Sequence, residues 1–416
     1  MPLKKIYLSQ IIIFLLIIIN FPKFNLITIG GAPGGDGNYP QGIRLDDVLI
    51  FIFVLFNFNK ILLSRDSILI FFYITFVYLL SFFHQINSIH FFYVQFHYLK
   101  FLEYFLLYSI LVRIINTDVI IKVVIYSFII QLIYATYVFF TTPYQAEFTI
   151  ESRAKGTTAG PWELVNMIVI FYFILADHYY KKKNIIKIFI FYSLTWYVIL
   201  ISYSRMAAIA FIVLLLIKKI KYSILIFTAV IFIFLASINL NFFQNIDIGY
   251  FSLNKTLNFL KDFSIPILNN FSQGDFFLGR GGGFYDHTFQ NYDPSIVGRL
   301  QQWGRYLTTF NNSEFKYIAY IFGNGPGSGS IINDGMYIKL FVDFGLVGFL
   351  IYFYLIIKYF LSNKRIRNII IFISISSVTL DFYWPTKIAY SLILLIIYFK
   401  NEGLKAKQEN KASYVR

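Results

Sequence analysis

The chain has 416 residues, of which 58% are hydrophobic, 21% aromatic and 14% charged. Soluble domains carry about 25% charged residues, so this composition excludes an ordinary soluble fold and indicates a polytopic membrane protein. The absence of cysteine excludes disulfides and thiolate metal sites, and basic cytoplasmic loops explain the net charge of +15 without nucleic acid.

The first predicted elements are membrane helices joined by short loops. Lys4 and Lys5 precede the apolar run Ile6–Phe21, which lacks a convincing cleavage site and predicts a transmembrane helix rather than a signal peptide. The Gly- and Pro-rich stretch Pro22–Gly42 predicts a loop. Eight further helices complete residues 1–238, at about Arg44–Phe58, Asp66–Phe83, His97–Ile115, Asp118–Thr141, Trp162–Tyr180, Ile185–Tyr203, Met206–Ile217 and Tyr222–Ile238.

Residues 239–333 form a long polar segment without an apolar run of membrane length. Helical spacing of apolar residues predicts an amphipathic helix in it, over Pro294–Phe310. Residues 334–400 predict three more membrane helices, at about Gly335–Ile357, Arg367–Phe382 and Thr386–Phe399. Residues 401–416 predict a basic cytoplasmic tail. The predicted fold is an all-α polytopic membrane protein of about twelve transmembrane helices, with the long segment between the ninth and the tenth.

The distribution of basic residues predicts the orientation of these helices. With the N-terminus in the cytoplasm, most of the 36 lysines and arginines fall on the cytoplasmic side, as the positive-inside rule requires. Both termini are then cytoplasmic, and residues 239–333 lie outside.

Arginine is relatively enriched on the predicted outer side, although the same rule should deplete it there. The guanidinium group binds phosphate oxygens in a bidentate manner, which the lysine ammonium cannot do. Scattered headgroup contacts and salt bridges would explain any single arginine, but the set favours a diphosphate site. The predicted diphosphate ligands are Arg153, Arg205, Arg280, Arg299 and Arg305, and the predicted substrate contacts are Trp303 and Arg44.

Acidic residues near helix starts are the candidates for a general base. Asp334 can serve as a base, although capping of the following helix is its favoured role, and Glu163 is the second candidate. Lys339 and Asp343 lie one turn apart and predict a structural ion pair, as do Lys100 and Glu103. The five histidines lack metal-ligand spacing, so neither a metal nor another cofactor is predicted.

Five motifs follow one another in an order that resembles a known family. They are Arg153-x-x-Gly156 with Gly160-Pro161, Ser204-Arg205 opening a helix, Gly298-Arg299 followed by a tryptophan, Gly323-x-Gly325, and the helix Tyr337–Gly348. In this order and topology, the chain resembles the bacterial O-antigen polymerase and ligase superfamily of lipid-linked glycan enzymes. The resemblance covers about Arg153 to Leu350 and depends on the order of the motifs, since none is diagnostic alone.

The resemblance implies a GT-C-like glycosyltransferase bundle that performs inverting, metal-independent glycosyl transfer on the periplasmic face of the bacterial inner membrane. The implied substrate is an oligosaccharide on undecaprenyl diphosphate, and the implied partners are membrane lipids, a chain-length regulator and a flippase. Ligases of this group carry a histidine where this chain has Asn333-Asp334-Gly335, so a polymerase is favoured. The alternatives are an O-antigen ligase acting on lipid A core, a lipid-linked oligosaccharide flippase or transporter, and a non-catalytic scaffold.

Overall fold

A computed structural model describes residues 2–22, 25–30, 41–85, 90–141, 154–158, 160–202, 204–217, 315–328, 335–362, 364–377 and 385–413. In these parts the chain forms a helical bundle and a two-stranded sheet. The helices are α1 (Pro2–Asn20), α2 (Leu45–Asn57), α3 (Arg65–Gln85), α4 (His90–Ile114), α5 (Thr117–Thr141), α6 (Pro161–Lys181), α7 (Ile185–Ile201), α8 (Arg205–Ile217), α9 (Lys316–Phe322), α10 (Met336–Ser362), α11 (Lys364–Ser376) and α12 (Thr386–Ser413). A short 3₁₀ turn, Phe58–Lys60, follows α2.

Four helices within the described ranges are long and apolar enough to cross a membrane: Arg65–Phe83, Thr117–Thr141, Pro161–Lys181 and Met336–Leu361. Shorter apolar helices accompany them at Tyr7–Asn20, Ile185–Ile201 and Ile366–Ser376. Their outer faces expose large apolar side chains, such as Phe72 and Phe140, which in water would be unfavourable over so large an area. The chain is therefore a helical membrane protein.

Most described helices begin and end close to their predicted limits, because apolar runs bounded by polar loops determine both. Two helices exceed their predicted limits by more than five residues. The helix α4 begins at His90 rather than His97, and α12 continues to Ser413 through the predicted tail, where Lys, Glu, Ala and Gln are good helix formers. The predicted helices Tyr222–Ile238 and Pro294–Phe310 lie outside the described residues.

The stretch predicted as a loop, Pro22–Gly42, contains paired strands, so that prediction was wrong for them. Strand β1 (Asn25–Gly30) pairs antiparallel with β2 (Gln41–Arg44), with Asn25 opposite Arg44. β1 contains the β-branched residues that favour strands, and their signal was hidden by the surrounding glycines and prolines. Because β2 leads directly into α2, the sheet fixes the position of Arg44 at the start of that helix.

The core of the described bundle is centred on α6, which packs against α5, α7 and α12. Every side chain from Leu164 to Leu175 is buried, on all faces of the helix. Aromatic rings of Tyr192, Trp196 and Phe211 pack together beside it. A helix that is apolar all round belongs in the centre of a bundle, so the polar start of α6 also lies inside the molecule.

Polar contacts connect the helices at one end of the bundle and in its interior. At one end, Lys358 near the end of α10 donates to Asp66 at the start of α3 (2.7 Å). Glu402 of α12 contacts Lys181 at the end of α6 at this same end. Away from this end, Arg44 before α2 bonds to Thr386 at the start of α12. Glu163 near the start of α6 also contacts Lys387 near the start of α12, so α6 and α12 run in the same direction.

Candidate functional site

Three helices, α2, α6 and α12, begin within the bundle rather than at its end. Asp47 in the first turn of α2 contacts Lys100, midway along α4. Gln131, past the middle of α5, donates from Nε2 to Thr157 Oγ1 (2.6 Å), shortly before α6 begins. Gln131 lies about ten residues before the end of α5, which corresponds to a depth of about 15 Å. The three N-termini therefore lie close together within the bundle, and we call the residues there the polar floor: Arg44, Asp46, Asp47, Lys100, Glu103, Thr157, Glu163, Thr386, Lys387 and Tyr390.

One half of the polar floor is an ionic cluster between α2, α4 and α12. Lys100 contacts both Asp47 and Glu103, the latter at 3.0 Å, which confirms the predicted Lys100–Glu103 pair. Tyr390 donates to Glu103 Oε1 (2.8 Å) and lies 3.2 Å from Asp46 Oδ2. Opposite charges and hydrogen bonds compensate the cost of removing these groups from water.

Arg44 connects this cluster to the start of α12. Its backbone N–H donates to Asp47 Oδ2 (3.0 Å), so Asp47 caps α2, and its Nη1 donates to Thr386 Oγ1 (2.8 Å). Asp46 and Asp47 lie close to the guanidinium and compensate its charge. Arg44 is therefore cationic and joins two helix starts. Its predicted contact with substrate stays a prediction.

The other half of the floor joins α6, α12 and the end of α1. Glu163 is fully buried, and its Oε1 accepts a hydrogen bond from the backbone N–H of Lys387 (3.2 Å). First-turn amides lack acceptors within their own helix, so Glu163 caps α12. This placement favours a structural role for Glu163 over the predicted role as a general base.

Lys387 is a floor residue that the sequence analysis did not single out. Its side chain is almost fully buried, and its Nζ donates to Phe21 O (2.7 Å), Thr157 O (2.6 Å) and Thr157 Oγ1 (2.6 Å). The available signal was a lysine in the first turn of an apolar helix, directly after Trp384-Pro385. A lysine at that position in a membrane helix indicates a buried partner.

Hydrogen bonds continue from Thr157 to α1 and α5. The Thr157 backbone N–H donates to Gln131 Oε1 (3.1 Å), and Gln131 Nε2 also donates to Asn20 Oδ1 (3.1 Å). Gly156 has a φ of +58°, and a Cβ there would lie 2.7 Å from Gln131 Oε1. Only glycine fits such a position without strain, so the segment Ala154–Thr158 is closely packed against α5.

The segment Ala154–Thr158 also reaches the junction of α7 and α8. The Ala154 N–H donates to the carbonyl of Ile201, the last residue of α7 (2.9 Å). Ala154 directly follows Arg153 in sequence, and Arg205 opens α8 shortly after Ile201. The sequence neighbours of two predicted diphosphate ligands therefore meet beside the polar floor. Six of the predicted site residues lie outside the described residues: Arg153, Arg280, Arg299, Trp303, Arg305 and Asp334.

An apolar groove of about 310 Å³ runs along the last turns of α1 to the polar floor. It is lined by Ile13, Leu16, Ile17, Asn20, Phe21 and Pro22. The Phe21 carbonyl accepts from Lys387, and Asn20 donates to Ser127 (2.8 Å), so one end of the groove adjoins buried polar groups. The groove thus has an apolar wall and a polar end.

A second polar feature is a break inside α10. Gly345 has a φ of 62° and a ψ of −167°, which interrupts the helix. The Asn324 N–H donates to Val342 O (2.9 Å) and the Gly325 N–H to Asp343 O (3.1 Å), so the segment Gly323–Ser328 satisfies carbonyls near the break. Ser328 Oγ donates to the Asp343 carboxylate (3.1 Å). Lys339 and Asp343 are both buried, and their predicted ion pair stays a prediction.

Among the residues that the structure describes, no group of three or more histidine, aspartate or glutamate side chains is placed to hold a metal ion. A scan of the chain against protein-family models gives no match. A search of curated proteins finds no significant relative.

Proposed function

We propose that the chain is a polysaccharide polymerase, a glycosyltransferase that joins oligosaccharide repeat units carried on undecaprenyl diphosphate into O-antigen or a related surface polysaccharide. It acts by inverting, metal-independent transfer on the periplasmic face of the bacterial inner membrane. Both termini are cytoplasmic, and about twelve transmembrane helices place residues 239–333 in the periplasm. A chain-length regulator and a flippase are its expected partners.

The observation that carries this proposal is the contact of Ala154 with Ile201 beside three helix N-termini. Free N–H groups and the helix dipole make N-termini favourable for anions. The four carboxylates of the floor outnumber its three cations, so the floor alone does not supply a positive site. The positive charge for a diphosphate then comes from Arg153 and Arg205, with Arg280, Arg299 and Arg305 from the long segment.

The proposed reaction is a direct displacement. The acceptor hydroxyl oxygen attacks the anomeric carbon of the donor sugar, and the bond from that carbon to the diphosphate oxygen breaks with inversion. The hydroxyl proton passes to a base, and undecaprenyl diphosphate leaves with its electron pair. Arginines stabilise the charge that develops on the leaving group, which is a large contribution in such reactions. Asp334 is the stronger candidate for the base, because Glu163 caps α12.

The groove along α1 supports a lipid-linked substrate. It is apolar, and Lys387 connects Phe21 at one end of it to Thr157. A polyprenyl diphosphate has the same division between a long apolar chain and a charged end. The isoprenoid chain would lie along Ile13, Leu16 and Ile17, with the diphosphate toward the floor.

The decisive experiment incubates the purified protein with a lipid-linked repeat unit and separates the products by size. The wild type is expected to give a ladder of lengthened chains. Arg153→Ala and Arg205→Ala should each reduce the rate about tenfold or more, since each removes charge-assisted hydrogen bonds of about 1.5–3 kcal/mol. Lysine replacements should rescue poorly, because lysine cannot reproduce bidentate contacts. Arg113→Ala is the matched control, since Arg113 is exposed near the opposite end of α4.

Three results would change the assignment. Unaltered ladders in both alanine variants would reject the arginine site. A single transfer of the glycan to lipid A core would identify a ligase. Absence of any product from a correctly folded wild type would reject glycosyl transfer.

A transporter of lipid-linked oligosaccharides is the second candidate, and the break in α10 is the observation that favours it. Discontinuous helices form the substrate and ion sites of many transporters. Vesicles that contain the protein and a fluorescent lipid-linked oligosaccharide in one leaflet separate the two functions. Movement to the other leaflet without chain lengthening would support the transporter, and lengthening without movement would support the polymerase.

A further inference from the structure

Asn166 places an amide in the most apolar part of the bundle. It lies on α6 between Leu164 and Leu175, where every side chain is buried, and its own exposed fraction is 0%. Neither its Nδ2 nor its Oδ1 has a hydrogen-bond partner among the residues that the structure describes. An unpaired amide in apolar surroundings destabilises a fold, so both atoms need partners.

The other buried asparagines of the described helices show how such an amide is satisfied elsewhere in this bundle. Asn20 Nδ2 and Asn57 Nδ2 each donate to the carbonyl oxygen four residues earlier in the same helix (2.9 Å). Asn166 does not form this bond, although α6 offers the same carbonyl. Its amide is therefore directed away from its own backbone.

Ser376 on α11 departs from the usual arrangement in the same way. Serine hydroxyls in helices commonly bond to the carbonyl one turn earlier, as those of Ser109 and Ser391 do in this chain (2.7 Å each). The Ser376 hydroxyl is fully buried, and within the described ranges no group accepts from it or donates to it. It too is directed away from its own backbone.

A ring contact shows that both residues belong to the interface between α6 and α11. The rings of Phe173 on α6 and Phe372 on α11 lie 6.2 Å apart. Asn166 precedes Phe173 by seven residues, or about two turns, which returns to the same face of α6. Ser376 follows Phe372 by four residues, or about one turn of α11.

The two helices run in opposite directions, so Asn166 and Ser376 lie on the same side of this ring contact. α11 begins directly after α10, whose Lys358 contacts Asp66 at the end of the bundle where α6 ends at Lys181. At about 1.5 Å per residue, Asn166 lies about 10 Å and Ser376 about 6 Å from the ring contact along the helix axes. Their levels therefore differ by about 4 Å, which a bridging water can span.

We infer that Asn166 and Ser376 bind ordered water between α6 and α11. An amide and a hydroxyl offer both donors and acceptors and carry no charge, and water complements both. A charged ligand would instead place an uncompensated charge in the apolar core. Buried water makes about three hydrogen bonds to polar groups that otherwise lack partners, and Asn166 Nδ2, Asn166 Oδ1 and Ser376 Oγ are three such atoms. This site is separate from the polar floor and does not depend on the proposed function.

The first measurement detects the water and does not depend on activity. X-ray irradiation of the protein in nanodiscs generates hydroxyl radicals from bound water, and these oxidise the nearest side chains. Met167 is fully buried and adjacent to Asn166, so its oxidation reports on this site. The wild type should be oxidised at Met167, Asn166→Leu should lose this oxidation, and Ser376→Ala should weaken it.

The matched control for this measurement is Ser109→Ala on α4. It removes a buried hydroxyl that bonds to its own helix, and it should leave the oxidation of Met167 at the wild-type level. Ser376→Ala removes a single oxygen atom, so the comparison remains possible even where Asn166→Leu does not fold. An unoxidised Met167 in the wild type, or equal oxidation in the wild type and Ser376→Ala, would overturn the inference.

The second measurement is a double-mutant cycle on the unfolding equilibrium, by reversible denaturation in mixed micelles. Water that bridges two side chains couples them. Ser376→Ala should therefore raise the unfolding equilibrium constant about tenfold in the wild-type background and should have little further effect in Asn166→Leu. Ser109→Ala should have the same effect in both backgrounds. Equal effects of Ser376→Ala in both backgrounds would overturn the inference. A more stable Asn166→Leu would also overturn it, because removing an amide that has no partner stabilises a core.

Discussion

The polar floor and the break in α10 both place polar groups inside a membrane bundle, but they satisfy them differently. In the floor, side-chain charges compensate one another, as Lys100 does between Asp47 and Glu103. At the break, backbone amides of a neighbouring segment satisfy backbone carbonyls, as Asn324 does for Val342. Without water, every such group needs a partner in the protein. The polar floor therefore depends on charge compensation, and the break in α10 depends on a residue without a Cβ atom.

The largest predicted effect is the removal of charge from the floor. Lys100→Met leaves the largely buried Asp47 and Glu103 without their shared cation, and we expect a loss of about 3–5 kcal/mol in the free energy of unfolding. Reversible denaturation in mixed micelles measures this loss of stability. Lys100→Arg keeps the charge and should lose less, as should Lys100→Met combined with Glu103→Gln. Equal losses in all three variants would show that shape rather than charge matters in the floor.

The second-largest predicted effect concerns the break in α10 at Gly345. Gly345→Ala should cost about 3 kcal/mol, because a φ of 62° with a ψ of −167° is strained for any other residue. Its Cβ would also lie 2.5 Å from backbone atoms of Ile321 and Gly323. The same denaturation assay compares it with Gly403→Ala in α12, where nothing lies within 4 Å of the added atom. That control should gain up to about 1 kcal/mol, since alanine favours a helix. A neutral Gly345→Ala would disprove the backbone explanation.

A smaller effect concerns a single hydrogen bond at the break. Tyr73 on α3 donates to the carbonyl of Phe344 (2.5 Å), next to Gly345. Tyr73→Phe removes the donor and leaves this carbonyl without that bond, so a cost of about 1–2 kcal/mol is expected. Tyr137→Phe is the control, because Tyr137 is exposed on α5. Equal melting temperatures for both variants would mean that Phe344 O needs no partner from α3.

The smallest effect is expected at the end of the bundle opposite the floor. Lys358 pairs with Asp66 at 2.7 Å, but both side chains are partly exposed. Exposed ion pairs contribute little and are screened by salt. Lys358→Met should therefore leave the melting temperature unchanged at high and low salt. A clear loss at low salt would mean that charge pairing matters at both ends of the molecule.

The helices could be predicted from the sequence, and the depth at which they begin could not. Apolar runs determine the length of α5 and α6, and a spacing of three residues was enough to predict the Lys100–Glu103 pair. Hydropathy contains no information on the vertical offset between helices. The contacts of Asp47 with Lys100 and of Lys387 with Thr157 join residues far apart in sequence, so spacing could not predict them.

The break at Gly345 and strand β1 were not predicted, because the residues around each of them indicate a different structure. Gly345 lies in the apolar run Phe344-Gly345-Leu346-Val347-Gly348, and a hydropathy average passes over the interruption. The break becomes visible when the segment Gly323–Ser328 is placed beside it. Strand β1 was hidden because glycine and proline in the surrounding residues favour a loop, whereas pairing with β2 overrides that local preference.

The depth of the polar floor also bears on how its charges respond to the membrane voltage. Below the floor, α2 has 13 residues and spans about 20 Å, compared with about 30 Å for the full hydrocarbon core. On its own, α2 is therefore too short to cross the hydrocarbon core. A charge held at the floor lies part of the way through that voltage, whose full drop is worth about 2.3 kcal/mol per elementary charge per 100 mV. Binding of a diphosphate at this depth would consequently depend on the energised state of the membrane as well as on chemical affinity.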